Sequence, residues 1–158
     1  MNETQTFEFM SEKEFEEYYT KLEENFDKKK NELDKFIKDN LLLSSDKDLE
    51  LQIIETHSAI VRIKDILIKE KITLNKLKLK YERIKSEEYE RAKQNPFLFK
   101  TLNEFDRFVI RSSRITKMKS ILDMQTSFVE YVEYIFDILK SKKFDIKNIL
   151  EIRKTDKY

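Results

Sequence analysis

The absence of glycine constrains this chain more than any other feature, because none occurs in 158 residues and Pro96 is the only proline. Glycine reaches positive φ at little steric cost, and tight β-hairpins depend on such positions. The frequent Lys, Glu, Leu and Ile residues favour helix. We therefore predict an all-α fold with long helices, although a compositional bias against glycine would also thin the loops.

Several kinds of catalytic site are disfavoured by the residue types present. The chain has no cysteine and a single histidine, His57, so neither a thiolate site nor a two-histidine zinc site is expected within one chain. A glycine-rich phosphate loop is impossible, and Ser112-Ser113 has no neighbouring base to activate a hydroxyl. The clustered glutamates between Glu12 and Glu24 suit a solvated helix face. We expect a protein that is not an enzyme and uses no metal or cofactor.

The N-terminal segment is acidic and polar, which is unlike a signal peptide. No run of residues approaches the roughly 20 apolar positions that a membrane-spanning helix needs. We therefore expect a soluble protein inside the cell.

Charge is distributed unevenly along the chain, although the overall net charge is only +1. Residues 1–60 carry a net charge of −8, residues 61–100 carry +6 and residues 101–158 carry +3. A basic body suits a polyanion, and an acidic arm suits a second, basic partner. Alternatively, the arm folds back on the body and neutralises it.

Residues 1–45 are predicted to form an acidic N-terminal helical arm. Ser11-x-x-Glu14 has the form of a capping box, and the apolar residues that follow recur every three or four positions to about Asn40. Lys29 interrupts this apolar row. A short link at 41–46 should follow, with Ser44 or Ser45 as the next N-cap.

Residues 46–95 are predicted to form one long basic helix that ends near Lys93, before Asn95-Pro96. At 1.5 Å per residue its length approaches roughly 70 Å, which a small monomer buries with difficulty. We therefore expect a coiled-coil-like element in an oligomeric helical assembly. Its seam has heptad spacing through Ile53, Thr56, Ile60, Ile63, Leu67, Glu70, Leu74, Leu77, Tyr81 and Ile84.

Residues 96–158 are predicted to form a C-terminal region of shorter helices that mediates oligomerisation. Thr101-x-x-Glu104 is a second capping box, and the segment 111–114 resembles a break before the next helix. Ser141-Lys-Lys is a weak boundary before a last short helix at 146–152.

Basic residues recur at every seventh position in the long helix, in two columns that a seven-residue step keeps on nearly constant faces. Between the columns runs a second apolar strip. This strip either packs on protein or offers a surface to the bases of a strand whose phosphates meet the cations. The columns are Arg62, Lys69, Lys76, Arg83 and Lys64, Lys71, Lys78, Lys85, and the strip is Val61, Ile68, Ile72, Leu79.

Two further basic groups add to the candidate DNA-binding residues. Lys80 lies in the dense segment Asn75-Lys-Leu-Lys-Leu-Lys-Tyr81, and Arg111 and Arg114 belong to a second cluster that is interspersed with phenylalanines. Those aromatic residues are expected mainly in the core.

Two regions of the chain together resemble a known family. The first comprises His57-Ser58 and Asn75-Lys-Leu-Lys-Leu-Lys-Tyr81, and the second comprises Lys119-Ser-Ile-Leu-Asp-Met-Gln125, Asp137-Ile-Leu-Lys-Ser-Lys-Lys-Phe144 and Ile146-Lys-Asn-Ile-Leu-Glu-Ile-Arg153. Over roughly residues 50–154 the chain resembles the UvsY recombination mediators of T-even-type phages. Lys76 and Lys78 match that family's basic pair associated with DNA binding, with Lys78 in place of an arginine, and Asn75 replaces the leucine that opens the motif.

The resemblance implies a small helical homo-oligomer, generally a ring, in the cytoplasm of an infected bacterium. Such a protein binds single-stranded DNA, helps to displace the single-strand-binding protein and loads the strand-exchange recombinase. The C-terminal residues expected at subunit contacts are Val132, Phe136, Leu139, Phe144, Ile149 and Ile152. The alternative is a coiled-coil structural or assembly protein of a virion or scaffold, without nucleic-acid binding.

Overall fold

The computed structural model describes residues 7–41, 48–94 and 101–155, and almost all of them are helical. A 3-10 turn at Phe7–Phe9 precedes four α-helices in these ranges: α1 at Glu12–Leu41, α2 at Leu49–Lys93, α3 at Leu102–Ile110 and α4 at Ser113–Thr155. The predicted all-α fold is confirmed. None of the described helices has a stretch that is long and apolar enough to span a bilayer.

The first helix begins at the predicted capping box. The Ser11 backbone N–H donates to Glu14 Oε2 at 2.8 Å, and the Glu14 N–H donates to Ser11 Oγ at 3.3 Å. Two N–H groups that the first turn of a helix leaves without partners are satisfied in this way.

The second helix ends at the predicted position but begins at a different cap. Asp48 precedes it, and the Glu50 N–H donates to Asp48 Oδ1 at 3.1 Å. A carboxylate at this position satisfies a free N–H and interacts favourably with the helix dipole. The predicted caps, Ser44 and Ser45, lie outside the described residues.

The C-terminal region differs from prediction at one boundary. Thr101 caps α3 as expected, and the chain turns at 111–112 before α4. However, α4 continues through Ser141-Lys-Lys without a break. These residues carry no proline or glycine, and Leu139 and Ile146 are fully buried on the same face seven positions apart. The predicted last short helix is therefore wrong.

The chain divides into two compact units that each combine distant stretches of sequence. The first unit comprises Met1–Glu24 and Ile72–Ser127, and the second comprises Asn25–Lys71 and Phe128–Tyr158. The core of the first unit contains Phe7, Phe15, Ile84, Ala92, Val109, Ile115, Met118 and Ile121.

In the second unit α1 and α2 run antiparallel. Lys29 pairs with Glu70 near one end of the shared stretch, whereas Phe36 contacts Arg62 near the other. The buried apolar residues of this unit are Phe26, Leu33, Ile37, Ala59, Ile63, Leu67, Phe128, Val129, Val132, Ile135, Leu139 and Ile146.

The heptad seam of α2 faces inward within a single chain. Its positions are either buried, as at Ile63 and Ile84, or half-buried, as at Leu77 and Tyr81. Burial of the seam therefore does not require a second subunit, and a multi-chain coiled coil stays a prediction.

Candidate nucleic-acid interface

Most of the predicted cations of α2 have exposed side chains. Seven of them are exposed, and Lys80 and Lys85 are half-buried. The exposed set is Arg62, Lys64, Lys69, Lys71, Lys76, Lys78 and Arg83.

The second apolar strip of α2 is also exposed. Val61 and Ile68, in the second unit, are each 47% exposed, and Ile72 and Leu79, in the first, are 51% and 73% exposed. Side chains this large are ordinarily buried when they recur along one face of a helix. The described residues thus leave the strip uncovered, and we call this face of α2, with the two cation columns beside it, the outer face.

One cation column makes contacts with aromatic rings. The Arg62 guanidinium lies 4.6 Å from the centre of the Phe36 ring, and the Lys80 ammonium, next to this column, lies 4.0 Å from that of Phe7. Such cation–π contacts are worth about 0.5–1 kcal/mol at exposed sites. Arg83 forms a long ion pair with Glu87, four residues ahead, at 3.7 Å.

In the other column, Lys71 forms an ion pair with a residue of α4. Lys71 Nζ lies 2.5 Å from Glu133 Oε1, and both side chains are about half exposed. Exposed pairs of this kind contribute only about 0–1 kcal/mol, so a phosphate could compete for the lysine.

Four lysines of the outer face have no such competitor. Within residues 7–41, 48–94 and 101–155, no carboxylate lies within 4.0 Å of the ammonium groups of Lys64, Lys76, Lys78 and Lys85. These four lysines are hereafter the open lysines. Their charge is balanced by solvent ions, which a polyanion can replace.

Arg114, which the sequence placed in the second basic cluster of candidate DNA-binding residues, is buried in the first unit. Its guanidinium donates to Glu87 Oε2 and Glu88 Oε1, each at 2.7 Å, and lies 4.9 Å from the Phe9 ring centre. Burial lowers the pKa of Arg114, but the hydrogen bonds to both glutamates raise it above its ordinary value overall. Arg114 therefore holds the first unit together, whereas Arg111 remains exposed.

Lys117 has a similar structural role that sequence reasoning did not identify. Its ammonium donates to the Met10 carbonyl at 2.7 Å and lies 3.1 Å from Glu12 Oε1. The hydrogen bond from Ser113 and then that from Lys117 lower the pKa of the Glu12 carboxyl. The spacing of these residues could have predicted this role, because Arg114 and Lys117 lie on the same face of α4 as the buried Ile121.

Two charged residues that interrupt apolar rows in the sequence are partners in the structure. Lys29 breaks the row of α1, Glu70 breaks the seam of α2, and Lys29 Nζ lies 3.0 Å from Glu70 Oε1. Opposite charges at core-facing positions of neighbouring helices were the signal that could have predicted this pair.

The candidate oligomerisation residues of α4 fall into three groups. Val132 and Leu139 are fully buried in the second unit, so in this conformation they cannot contact a second chain. Phe136 and Ile149 are half-buried. Phe144 and Ile152 are 64% and 59% exposed, and of the six they are the ones that can reach another molecule.

No group of three potential metal ligands converges in the part of the chain that the structure describes. His57 is exposed, and its Nδ1 lies 3.0 Å from Lys143 Nζ. A neutral imidazole can accept a hydrogen bond from that ammonium group.

In comparisons with models of protein families, with curated proteins and with solved structures, nothing matches this chain. The likeness to the UvsY mediators therefore rests on the residues quoted above.

Proposed function

We propose that this protein binds single-stranded DNA along the outer face of α2 and acts, without catalysis, as a recombination mediator. The observation that carries the proposal is the combination of open lysines and an exposed apolar strip on one helix. Lys76 and Leu79 illustrate the pattern, because a cation without a described carboxylate partner lies one turn from a largely exposed leucine.

A single strand suits this surface better than a duplex. The bases of a single strand are accessible and can lie on apolar side chains while the phosphates meet the lysines. In a duplex the bases are stacked inside, and only their edges are accessible in the grooves. With a duplex, the apolar strip of the outer face would have no base faces to contact. Only the electrostatic attraction between lysines and phosphates would remain.

The mediator role is the part of the proposal that depends on the resemblance. In the resemblance, Lys76 and Lys78 occupy the positions of the basic pair that is associated with DNA binding in the UvsY family. Both residues lie on α2 with exposed side chains. The partners are then single-stranded DNA, the single-strand-binding protein and the recombinase. Several copies of a weak site on one oligomer would bind a strand tightly by avidity.

Binding to a fluorescent oligonucleotide tests the DNA-binding step. Replacing Lys76 and Lys78 by alanine should weaken binding at least about tenfold at low salt, because two phosphate contacts are lost. The matched control replaces Lys21 and Lys28, which are exposed on α1 and carry the same total charge. An equal loss in both double variants would mean that binding follows net charge alone and would contradict a specific site.

A structural or assembly protein is the second candidate, and the exposed strip favours it. If the strip packs on another chain, replacing Ile72 and Leu79 by serine should lower the mass measured by light scattering. The Lys76 and Lys78 double variant should then keep its mass and bind no less DNA than the wild type. That combination would support the assembly protein over the mediator.

A further inference from the structure

The second unit contains a pocket between α1 and α2. Its volume is about 220 Å³, and its walls include Lys29, Phe36, Arg62 and Glu70. Drug-sized ligands usually occupy pockets of about 300 to 1,000 Å³. This pocket therefore suits a smaller group, such as one aromatic ring system. We call it the α1–α2 pocket.

The walls of the α1–α2 pocket are suited to a flat ligand. The Phe36 ring carries the Arg62 guanidinium over its face at 4.6 Å, and Ile66 adds an apolar surface. Planar guanidinium groups and aromatic rings both stack on nucleobases. Because Arg62 already covers one face of Phe36, a base that enters the pocket would extend this stack by lying on the guanidinium.

The lining of the pocket includes a hydrogen-bond donor, Lys29, and an acceptor, Glu32, one turn apart on α1. The Lys29 ammonium is held by Glu70 at 3.0 Å, and the Glu32 carboxylate has no cation within ion-pair distance among the described residues. Guanine offers an O6 acceptor to an ammonium and two adjacent N–H donors, on N1 and N2, to a carboxylate. Lys29 and Glu32 can supply these two partners, with Glu70 positioning Lys29.

The pocket also lies beside the proposed path of the strand. Arg62 is both a wall of the pocket and the first residue of a cation column of the outer face. Phosphates that contact this column would bring their bases to the mouth of the pocket. One base could then leave the stack and enter.

We propose that the α1–α2 pocket receives a single unstacked nucleobase of the bound strand, with guanine as the best-matched base. This inference rests on the proposed function, since it assigns the pocket to the same ligand. It adds a base-specific contact to a surface that otherwise contacts phosphates and apolar ring faces without regard to sequence.

Methyl NMR of isoleucine-labelled protein tests the pocket separately from strand binding. Millimolar guanosine monophosphate should shift the Ile66 signal, which the Ile66→Leu variant identifies, and should leave the exposed Ile152 signal in place. An unmoved Ile66 signal would overturn the pocket proposal whether or not an oligonucleotide binds. A shifted Ile66 signal without oligonucleotide binding would instead reject the proposed function, and would show a pocket that binds a free nucleotide and not a base of a bound strand.

Base preference supplies the second readout on the full chain. An oligothymidylate with one central guanine should bind about fivefold more tightly than oligothymidylate alone, in line with the lower values for a bidentate base contact. Glu32→Gln should remove that preference, whereas the control Glu24→Gln, which is exposed on α1 outside the pocket, should keep it. Equal affinity for both oligonucleotides in the wild type would refute guanine recognition.

Discussion

At the scale of single residues, the position of a charge on its helix decides its role. Lys78 and Arg114 are both basic residues that the sequence marked for DNA contact. Lys78 is exposed on α2, whereas Arg114 is buried between two glutamates and the Phe9 ring. Removing one partner of a buried ion pair is costly because the remaining charges lose their compensation.

Replacing Arg114 by methionine should therefore destabilise the protein by about 2 kcal/mol, since it removes two charge-assisted hydrogen bonds. Urea unfolding at neutral pH measures the change. Arg111→Met is the control, because Arg111 is exposed and its loss should cost less than about 0.5 kcal/mol. Equal losses in the two variants would contradict the structural role of Arg114.

The same variant should reduce the sensitivity of the protein to acid. The hydrogen bond from Arg114 lowers the pKa of Glu87 below its ordinary value of 4.5. A lowered pKa in the folded state gives stability that is present above pH 4.5 and is lost as pH falls through the folded-state pKa. Stability measured from pH 6 downward should thus fall less in Arg114→Met than in the wild type. If the free energy of unfolding fell more steeply with pH in the variant than in the wild type, the assigned effect of Arg114 on Glu87 would be contradicted.

At the scale of the helices, apolar periodicity predicted much of the fold correctly. It located the end of α1 and the inward seam of α2, because buried faces follow the 3.6-residue period closely, and Asn95-Pro96 located the end of α2. It did not predict that α4 continues past Ser141, because a polar triplet looks like a boundary when its buried flanking residues are not known. It also could not say which of the two apolar faces of α2 the chain itself covers.

Two isoleucines on α2 show how different those two faces are. Ile63 is fully buried, whereas Ile68 is 47% exposed. Replacing Ile63 by alanine should cost about 3 kcal/mol, through lost burial and the cavity that remains. Ile68→Ala, a chemically identical change, should alter stability by no more than about 0.5 kcal/mol. Urea unfolding of both variants gives the comparison, and similar costs would mean that the strip is covered in solution.

At the scale of the whole molecule, the uneven distribution of charge is the feature on which the proposed function depends. The acidic first 60 residues and the basic stretch after them were visible in the sequence, and the structure exposes most of the basic stretch's predicted cations. The α1–α2 pocket was not predictable, because it depends on which residues of two helices meet. Lys29 and Arg62 are far apart in sequence, and only the packing of the second unit brings them to one pocket.

The salt dependence of DNA binding tests the central claim most directly. For a single strand, log K should fall with log salt with a slope of about −0.7 for each phosphate contacted. Titrations of a labelled oligonucleotide at several salt concentrations should give a slope that is about 1.4 less steep for the Lys76→Ala and Lys78→Ala double variant than for the wild type. Identical slopes, or wild-type binding that salt does not weaken, would contradict the assignment of the outer face of α2 to single-stranded DNA.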